Sequence, residues 1–371
     1  ASSFSAVTNA LTIGKTNRTF GVSTGTYTRV LQSNTFLKAT TYYDEDGNVI
    51  QGLEENILGG IDISTMQYHW NGALLAKNEK HGAPNKPFDN YRIHTTYSFD
   101  KLWRPKDVFK KFGTNPVRKI NTYEYNDIGQ LKKKTLSPDY ADHYSGIGIA
   151  GGGLESQDFS YNIQGMLVGV NKDYALKTGS YNKWQHFFGY FLGYDKTEGV
   201  FTGMRLNGQM KGQVWNTMGD DEQRKFEYTY DNAGRLLYAS FTQKIGSNWS
   251  NSFLDYSTGG YTGKVEYDLN GNLKSMSQKG FIYGQTSSVV IDDLRYTYAN
   301  SGLSNKLLKV TDLTTIGADL NGVNGDFQGS SATDEYVYDA NGNLIVDLTK
   351  KIPRTSRGAP GVGIDLNYLN K

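Results

Sequence analysis

The chain has 371 residues, including 43 glycines, 27 tyrosines and no cysteine, so disulfide scaffolds, thiolate metal sites and cysteine nucleophiles are excluded. Its 39 basic and 37 acidic residues give a formal net charge of +2, which argues against nucleic acid or an anionic membrane as a partner. No apolar run approaches the roughly 18 residues of a membrane-spanning helix, and no transmembrane segment is expected.

Residues 1–27 follow no pattern that assigns them a structure. They are rich in serine, threonine and alanine and lack the charged and apolar segments of an export signal. From residue 28 to residue 371 one motif recurs, which predicts a single repeat region without a clear internal boundary.

The repeated motif is aromatic-x-aromatic-Asp/Asn-x-x-Gly-x-Leu. Its nearly complete copies lie at residues 228–236 and 336–344, and looser copies lie at 42–49, 123–131, 159–167 and 267–273. Weaker copies surround residues 68, 99, 194 and 298. The signature positions, which are expected to have structural roles, are Tyr43, Asp44, Gly47, Tyr125, Gly129, Leu131, Tyr161, Gly165, Tyr230, Asp231, Gly234, Leu236, Tyr267, Asp268, Gly271, Leu273, Tyr338, Asp339, Gly342 and Leu344.

Each copy of the motif predicts a β-hairpin. Aromatic residues at positions i and i+2 lie on one face of a strand, and the Asp that follows hydrogen-bonds the backbone of a turn. Asn270-Gly271 and Asn341-Gly342 predict two-residue turns with positive φ, and apolar alternation from Leu344 onward predicts the return strand. About ten such hairpins in series predict an all-β chain that forms one long curved or spiralling sheet with little helix.

The sequence contains no recognisable catalytic, cofactor or metal site. Residues 44–48 have the carboxylate spacing of a calcium loop, but their glycine comes too early, and similar strings recur at Asp268 and Asp339 where strands reverse. Turn chemistry explains these residues better, and a chelator is expected to leave the melting temperature unchanged. Asp220 and Asp221 are a candidate acid–base pair that nothing in the sequence places in a cleft, so a cryptic hydrolase is the least favoured hypothesis.

The aromatic residues allow two interpretations. Rings that repeat at equivalent positions pack as ladders along a sheet, whereas a local cluster of exposed rings is typical of sugar binding. The ladder is favoured, with the second aromatic of each copy facing the inside of the curved sheet. Replacing Tyr230 or Tyr338 with alanine is then expected to cost about 3 kcal/mol or more if the ring is buried.

These motifs resemble the tyrosine-aspartate (YD) repeats of the Rhs family, whose relatives include toxin-complex shells, wall-associated bacterial toxins and teneurins. The resemblance covers residues 28–371 and is strongest to Rhs proteins of Bacteroidetes. It is carried by residues 41–51, 126–131, 160–165, 171–174 and 364–370. It implies a β-sheet that spirals into a hollow shell around a toxic C-terminal polypeptide, while the protease-bearing core segment of the family has no counterpart in this sequence.

The resemblance therefore implies a non-enzymatic structural shell segment of a secreted or outer cell-surface protein. Such a segment encloses or presents a C-terminal toxin payload in interbacterial competition; the alternative is a cell-surface adhesin or glycan-binding module. The implied partners are the remainder of a longer chain, its payload, and secretion machinery or cell-surface components. Because another repeat begins near Tyr368, the isolated chain is expected to expose an unpaired strand edge there and to self-associate.

Overall fold

The computed structural model describes residues 14–140 and 153–352, except residues 32, 85–91, 185, 261–262, 283, 315–326, 328 and 331. The region near Tyr368, where an unpaired edge is expected, lies outside these residues. In the described part of the chain almost all regular structure is antiparallel β-sheet, and the one α-helix, α1 (Lys172–Leu176), has five residues. The all-β prediction is confirmed. No helix in this part is long and apolar enough to cross a membrane.

The chain divides into two compact units, of which the first comprises Ala1–Ser160 and Asn182–Phe187. Its strands follow one another as a simple meander in which each strand pairs antiparallel with the next. The strands are β1 (Gly25–Arg29), β2 (Phe36–Tyr43), β3 (Val49–Glu55), β4 (Ile61–Tyr68), β5 (Leu74–Lys80), β6 (Arg92–Phe99), β7 (Pro105–Phe112), β8 (Arg118–Tyr125), β9 (Leu131–Leu136) and β10 (Glu155–Tyr161).

The second unit comprises Tyr161–Tyr181 and Phe188–Lys371. Its strands are β11 (Leu167–Val170), β12 (Phe188–Gly193), β13 (Gly212–Thr217), β14 (Arg224–Tyr230), β15 (Leu236–Ile245), β16 (Asn248–Ser250), β17 (Thr258–Gly259), β18 (Glu266–Tyr267), β19 (Leu273–Gly280), β20 (Val289–Tyr298), β21 (Leu307–Asp312), β22 (Tyr336–Tyr338) and β23 (Leu344–Asp347). Strands β11 to β15 form a meander, β15 also pairs with β16 and β17, and the sheet continues through β19 to β21. Strand β18 pairs with β19, and β22 and β23 form a separate hairpin.

The repeat turns share one backbone geometry. In the turn after β22, the Asp339 N–H donates to the Asn343 carbonyl at 2.9 Å and the Gly342 N–H donates to the Asp339 carbonyl at 3.1 Å. Gly342 has a φ of 87°, while Asn341 is not among the residues with positive φ. This is a three-residue loop, a type I turn followed by a left-handed glycine, so the predicted two-residue turn with positive φ at both residues is wrong. The Asp carboxylate bonds the loop backbone itself and thereby favours the longer turn.

A β-bulge precedes the second aromatic residue of the motif. The pairing register shifts immediately before this residue, which then lies opposite the first residue of the return strand. The shift occurs before Tyr43, Tyr68, Phe99, Tyr125, Tyr230, Tyr267, Tyr298 and Tyr338.

Fully buried side chains are concentrated in the second unit. Val168, Phe191, Phe201 and Val214 form one apolar cluster. A Cβ on Gly212 would lie 2.5 Å from the carbonyl oxygen of Phe226 and 2.6 Å from the Phe201 ring, so glycine at this position lets the Phe201 ring pack directly on β13. Most strand residues of the first unit are only half-buried.

Candidate functional site

The motif Asp supplies hydrogen-bond acceptors to its own turn. One oxygen of Asp231 accepts the Arg235 N–H at 2.8 Å, and the other accepts the Arg235 Nε at 2.6 Å. The hydrogen bond from the Arg235 backbone, with that from its guanidinium, lowers the pKa of Asp231. Asn343 bonds Asp339 in the same manner and lowers its pKa. Each carboxylate therefore stabilises its loop by accepting hydrogen bonds from the backbone and the side chain of the residue that ends the loop.

The motif Tyr joins its hairpin to the preceding one. The Tyr267 hydroxyl donates to the carbonyl of Leu236 at 2.8 Å, and Leu236 is the residue paired with Tyr230, the equivalent Tyr of the previous copy. The same relation links Tyr68 to Val49 at 3.0 Å and Tyr125 to Pro105 at 2.7 Å. Tyr43 and Tyr230 donate to the Ser23 and Met210 carbonyls, each 20 residues earlier.

In three turns a cation reinforces this link. The guanidinium of Arg235 lies 4.7 Å from the centre of the Tyr267 ring in the next hairpin. Arg104 lies 4.4 Å from the Tyr125 ring and Lys306 lies 5.8 Å from the Tyr338 ring, again one hairpin further on. Arg235 and Arg104 are also ion-paired with the Asp of their own turn. We call this series of Asp, cation and following Tyr the turn ladder.

The structure places the predicted signature residues at the ends of paired strands and in the turns between them. The signature tyrosines are half-buried at strand ends rather than enclosed in an apolar interior. The hydroxyls of four of them, Tyr43, Tyr125, Tyr230 and Tyr267, donate to backbone carbonyls. Burial raises the pKa of Tyr230 and of Tyr267. The expected cost of replacing one of them with alanine is therefore below the 3 kcal/mol that full burial implies. The glycines at 47, 129, 165, 234, 271 and 342 have φ between 81° and 88°, and Leu131, Leu236, Leu273 and Leu344 begin the return strands.

An aromatic groove of about 620 Å³ lies on one face of the second-unit sheet. It is lined by Phe188, Tyr190, Trp215 and Phe226, with Gln213 among the polar lining residues. Tyr190 and Trp215 are direct cross-strand partners, and the Trp215 and Phe226 ring centres are 5.8 Å apart. Such a surface suits apolar or planar groups. The sequence showed many aromatics here but not which of them share a face.

A polar cavity of about 470 Å³ in the second unit is lined by Lys177, Asp220, Asp221, Glu222 and Lys244, among others. Sequence reasoning found nothing to place Asp220 and Asp221 in a cleft, and the structure brings both to this one. The Arg224 guanidinium, 2.5 Å from Asp220, lowers the pKa of that carboxyl to about 2.

The neighbouring groups disfavour acid–base chemistry in this cavity. Burial opposes ionisation of Asp221, but hydrogen bonds from Tyr181, Lys177 and Asn216 outweigh it and lower the pKa of Asp221. Burial, together with the bond to Asp221, raises the pKa of Tyr181, whose phenol stays protonated. General acid catalysis by a carboxyl group needs a raised pKa, whereas the pKa values of both aspartates are lowered, which disfavours either carboxyl as a general acid.

One buried polar pair had no sequence signal. His186 Nδ1 lies 3.1 Å from Glu155 Oε1, and the Phe187 N–H donates to Glu155 Oε2 at 3.0 Å. Both side chains are less than one-tenth exposed. The two residues are 31 positions apart, so no local spacing indicated their contact. Among the described residues, no group of three or more His, Asp or Glu side chains has the arrangement of a metal site.

No protein-family model matches the chain, and no curated protein sequence matches it. Among solved structures, TcdB2-TccC3-TEV matches 84% of this chain and 18% of its own length at 9% identity, with a TM-score of 0.27. The Photorhabdus luminescens Tc holotoxin pore matches 75% of this chain and 15% of its own length at 9% identity, also with a TM-score of 0.27. A porin-like protein from Bacteroides uniformis matches 56% of this chain and 88% of its own length at 12% identity, with a TM-score of 0.20.

The chain thus spans less than one-fifth of the first two of these proteins. At such TM-scores, likeness in structure carries no assignment of function.

Proposed function

We propose that the chain is a non-enzymatic wall segment of a secreted or outer cell-surface protein of the Rhs type. In this proposal the wall encloses or presents a toxic C-terminal polypeptide used in interbacterial competition. Its partners are the rest of the longer protein, the enclosed polypeptide, and secretion or cell-surface components.

The turn ladder is the observation that supports the proposal. In five copies a Tyr hydroxyl bonds the hairpin to a backbone carbonyl that lies earlier in the chain. In two of these copies a cation from the preceding turn also covers the Tyr ring. A repeat that bonds only to its neighbours can be extended to any length, as in other repeat proteins. A wall needs a continuous sheet in which neighbouring hairpins pair along their strand edges. Such a sheet requires no catalytic group.

Protease protection in the full-length natural protein tests this function. The polypeptide that follows the repeats is expected to survive protease in the native protein and to be digested after denaturation. Wall-opening variants, such as the pair Arg235→Ala and Tyr267→Leu, are expected to expose it partly. Equal digestion of that polypeptide in native and denatured protein would contradict enclosure.

A further inference from the structure

Positive charge is concentrated in one part of the first unit. The strands β6 to β9 and their turns, residues 92–136, contain 11 basic and 4 acidic residues, although the whole chain has a net charge of only +2. The low net charge argues against a large polyanionic partner, but it does not exclude a local site for a small anion. The placement of these cations on the sheet is therefore informative.

Four basic side chains lie together on one face of β5, β6 and β7. Lys80 is directly opposite Arg92, and His94 is directly opposite Lys111. Arg92 and His94 are two residues apart on β6, so both cross-strand pairs lie on the same side of the sheet. All four residues are half-buried, and like charges directly opposite each other destabilise a sheet. We call these four residues the cationic cluster.

Acidic side chains do not compensate the two lysines of the cationic cluster. Lys80 and Lys111 make no ion pair with any residue that the structure describes. Among the described residues on this face of β4 to β7, Asp107 is the one acidic side chain, and it is already 3.6 Å from Lys119. Glu79 lies on the opposite face and is ion-paired there. The cluster therefore keeps an excess of positive charge.

A buried amide lies beside the cationic cluster. Asn78 on β5 is directly opposite His94 and two residues before Lys80, which places it on the same face. Asn78 is only 3% exposed, yet its side-chain amide makes no hydrogen bond with a described residue. Buried polar groups normally have a hydrogen-bond partner, so this amide is available to a ligand at the cluster.

The charge of the cluster acts on His94. Burial lowers the pKa of His94, and the charges of Lys111 and Arg92 lower it further. The imidazole is therefore neutral at neutral pH. A bound anion opposes this effect because negative charge favours the protonated ring, so the pKa of His94 reports whether an anion occupies the cluster.

The charges of the cluster suit a phosphate group. Lys80, Arg92 and Lys111 bring three positive charges together, which favours an anion with two negative charges over a carboxylate with one. A phosphate monoester is doubly charged at neutral pH because its second pKa is about 6, and a guanidinium binds two phosphate oxygens at once. The neutral His94 ring and the Asn78 amide each carry an N–H for a further oxygen.

We propose that Lys80, Arg92, His94 and Lys111, with Asn78 beside them, form a binding site for the phosphate group of a small molecule. The site belongs to the first unit alone and does not depend on the enclosure of a payload, so either proposal can fail without the other.

The test follows His94 by NMR in the full chain while inorganic phosphate is added. His94→Gln identifies the ring signals of His94 by their loss. Phosphate is expected to shift these signals saturably and to raise the pKa of His94. Sodium chloride of the same ionic strength only screens the charges, so its effect on the pKa of His94 is expected to be smaller and not saturable.

Two lysine variants separate a site from a general effect of charge. Lys111→Gln is expected to weaken phosphate binding by about tenfold, while its melting temperature stays equal or rises because a like charge leaves the cluster. Lys110→Gln is the matched control, since Lys110 precedes Lys111 on β7 and lies on the other side of the sheet, opposite Arg118. This control is expected to keep the wild-type affinity for phosphate.

Three results would overturn the proposal. The first is that phosphate and sodium chloride of equal ionic strength act alike on His94. The second is that Lys110→Gln and Lys111→Gln weaken phosphate binding equally. The third is that vesicles containing phosphatidic acid bind through Lys111 while inorganic phosphate does not bind, which would make the cationic cluster a membrane contact.

Discussion

Replacing Phe241 with alanine is expected to lower the free energy of unfolding by about 3–5 kcal/mol. The Phe241 side chain is only 1% exposed, and its ring centre lies 5.3 Å from that of Phe226 and 5.1 Å from that of Tyr256, both in edge-on geometry. Truncation removes these contacts and leaves a cavity that a sheet fixed by its ladder of hydrogen bonds cannot fill. Urea denaturation followed by circular dichroism measures the loss.

Phe188→Ala is the matched control because Phe188 is 45% exposed on β12, a strand of the same unit. Its replacement is expected to change the free energy of unfolding by less than about 1 kcal/mol. Equal losses for the two variants would show that Phe241 does not lie in the core of the second unit.

Alkaline pH is expected to destabilise the protein strongly. Burial raises the pKa of twelve tyrosines, and that of Tyr228 to about 12. An acid whose pKa is higher in the folded than in the unfolded state stabilises the fold below its unfolded pKa of about 10, and this stabilisation is lost as pH rises through the folded pKa. The affected residues are Tyr68, Tyr97, Tyr125, Tyr181, Tyr190, Tyr228, Tyr230, Tyr267, Tyr296, Tyr298, Tyr336 and Tyr338.

Each ring is partly open to solvent, so each phenol contributes less to the free energy of unfolding than its pKa shift alone implies. The contributions of the twelve phenols add, however. Urea midpoints measured from about pH 7 to about pH 12 are expected to stay level at first and to fall steeply above about pH 10. Tyr228→Phe is expected to weaken this fall, while Tyr27→Phe, which removes a 70% exposed phenol, leaves it unchanged. A level midpoint beyond pH 11 would contradict the burial of these phenols.

The hairpins were predictable because their signals are local. In residues 336–344, two aromatics, an Asp, a Gly and a Leu at fixed spacing define a strand, a turn and a return strand, and β22 and β23 follow this pattern. The turn type differs from the prediction because an Asn-Gly dipeptide alone does not show that the preceding Asp carboxylate closes a three-residue loop.

Contacts between hairpins were not predictable, since they join residues that no fixed spacing relates. The sequence showed that tyrosines recur but not that Tyr267 bonds the Leu236 carbonyl or that Arg235 covers its ring. The sequence carried one signal near the His69–Trp103 contact, in which the ring centres are 3.9 Å apart, because His69 stands where other copies have Asp or Asn and Trp103 stands where other copies have Gly. This signal marks both turns as unusual but does not show that the two rings touch.

A double-mutant cycle on Arg235 and Tyr267 tests most directly whether the turn cation and the Tyr of the next hairpin stabilise the fold together. Arg235→Ala, Tyr267→Leu and the double variant are compared with the wild type by urea denaturation. The control cycle pairs Arg235→Ala with Tyr338→Leu, because Tyr338 belongs to a hairpin further along the chain and is covered by Lys306 instead. We expect a coupling energy of about 0.5–1.5 kcal/mol for Arg235 and Tyr267 and additive effects within about 0.5 kcal/mol for the control pair. Additive effects for Arg235 and Tyr267 would contradict the turn ladder.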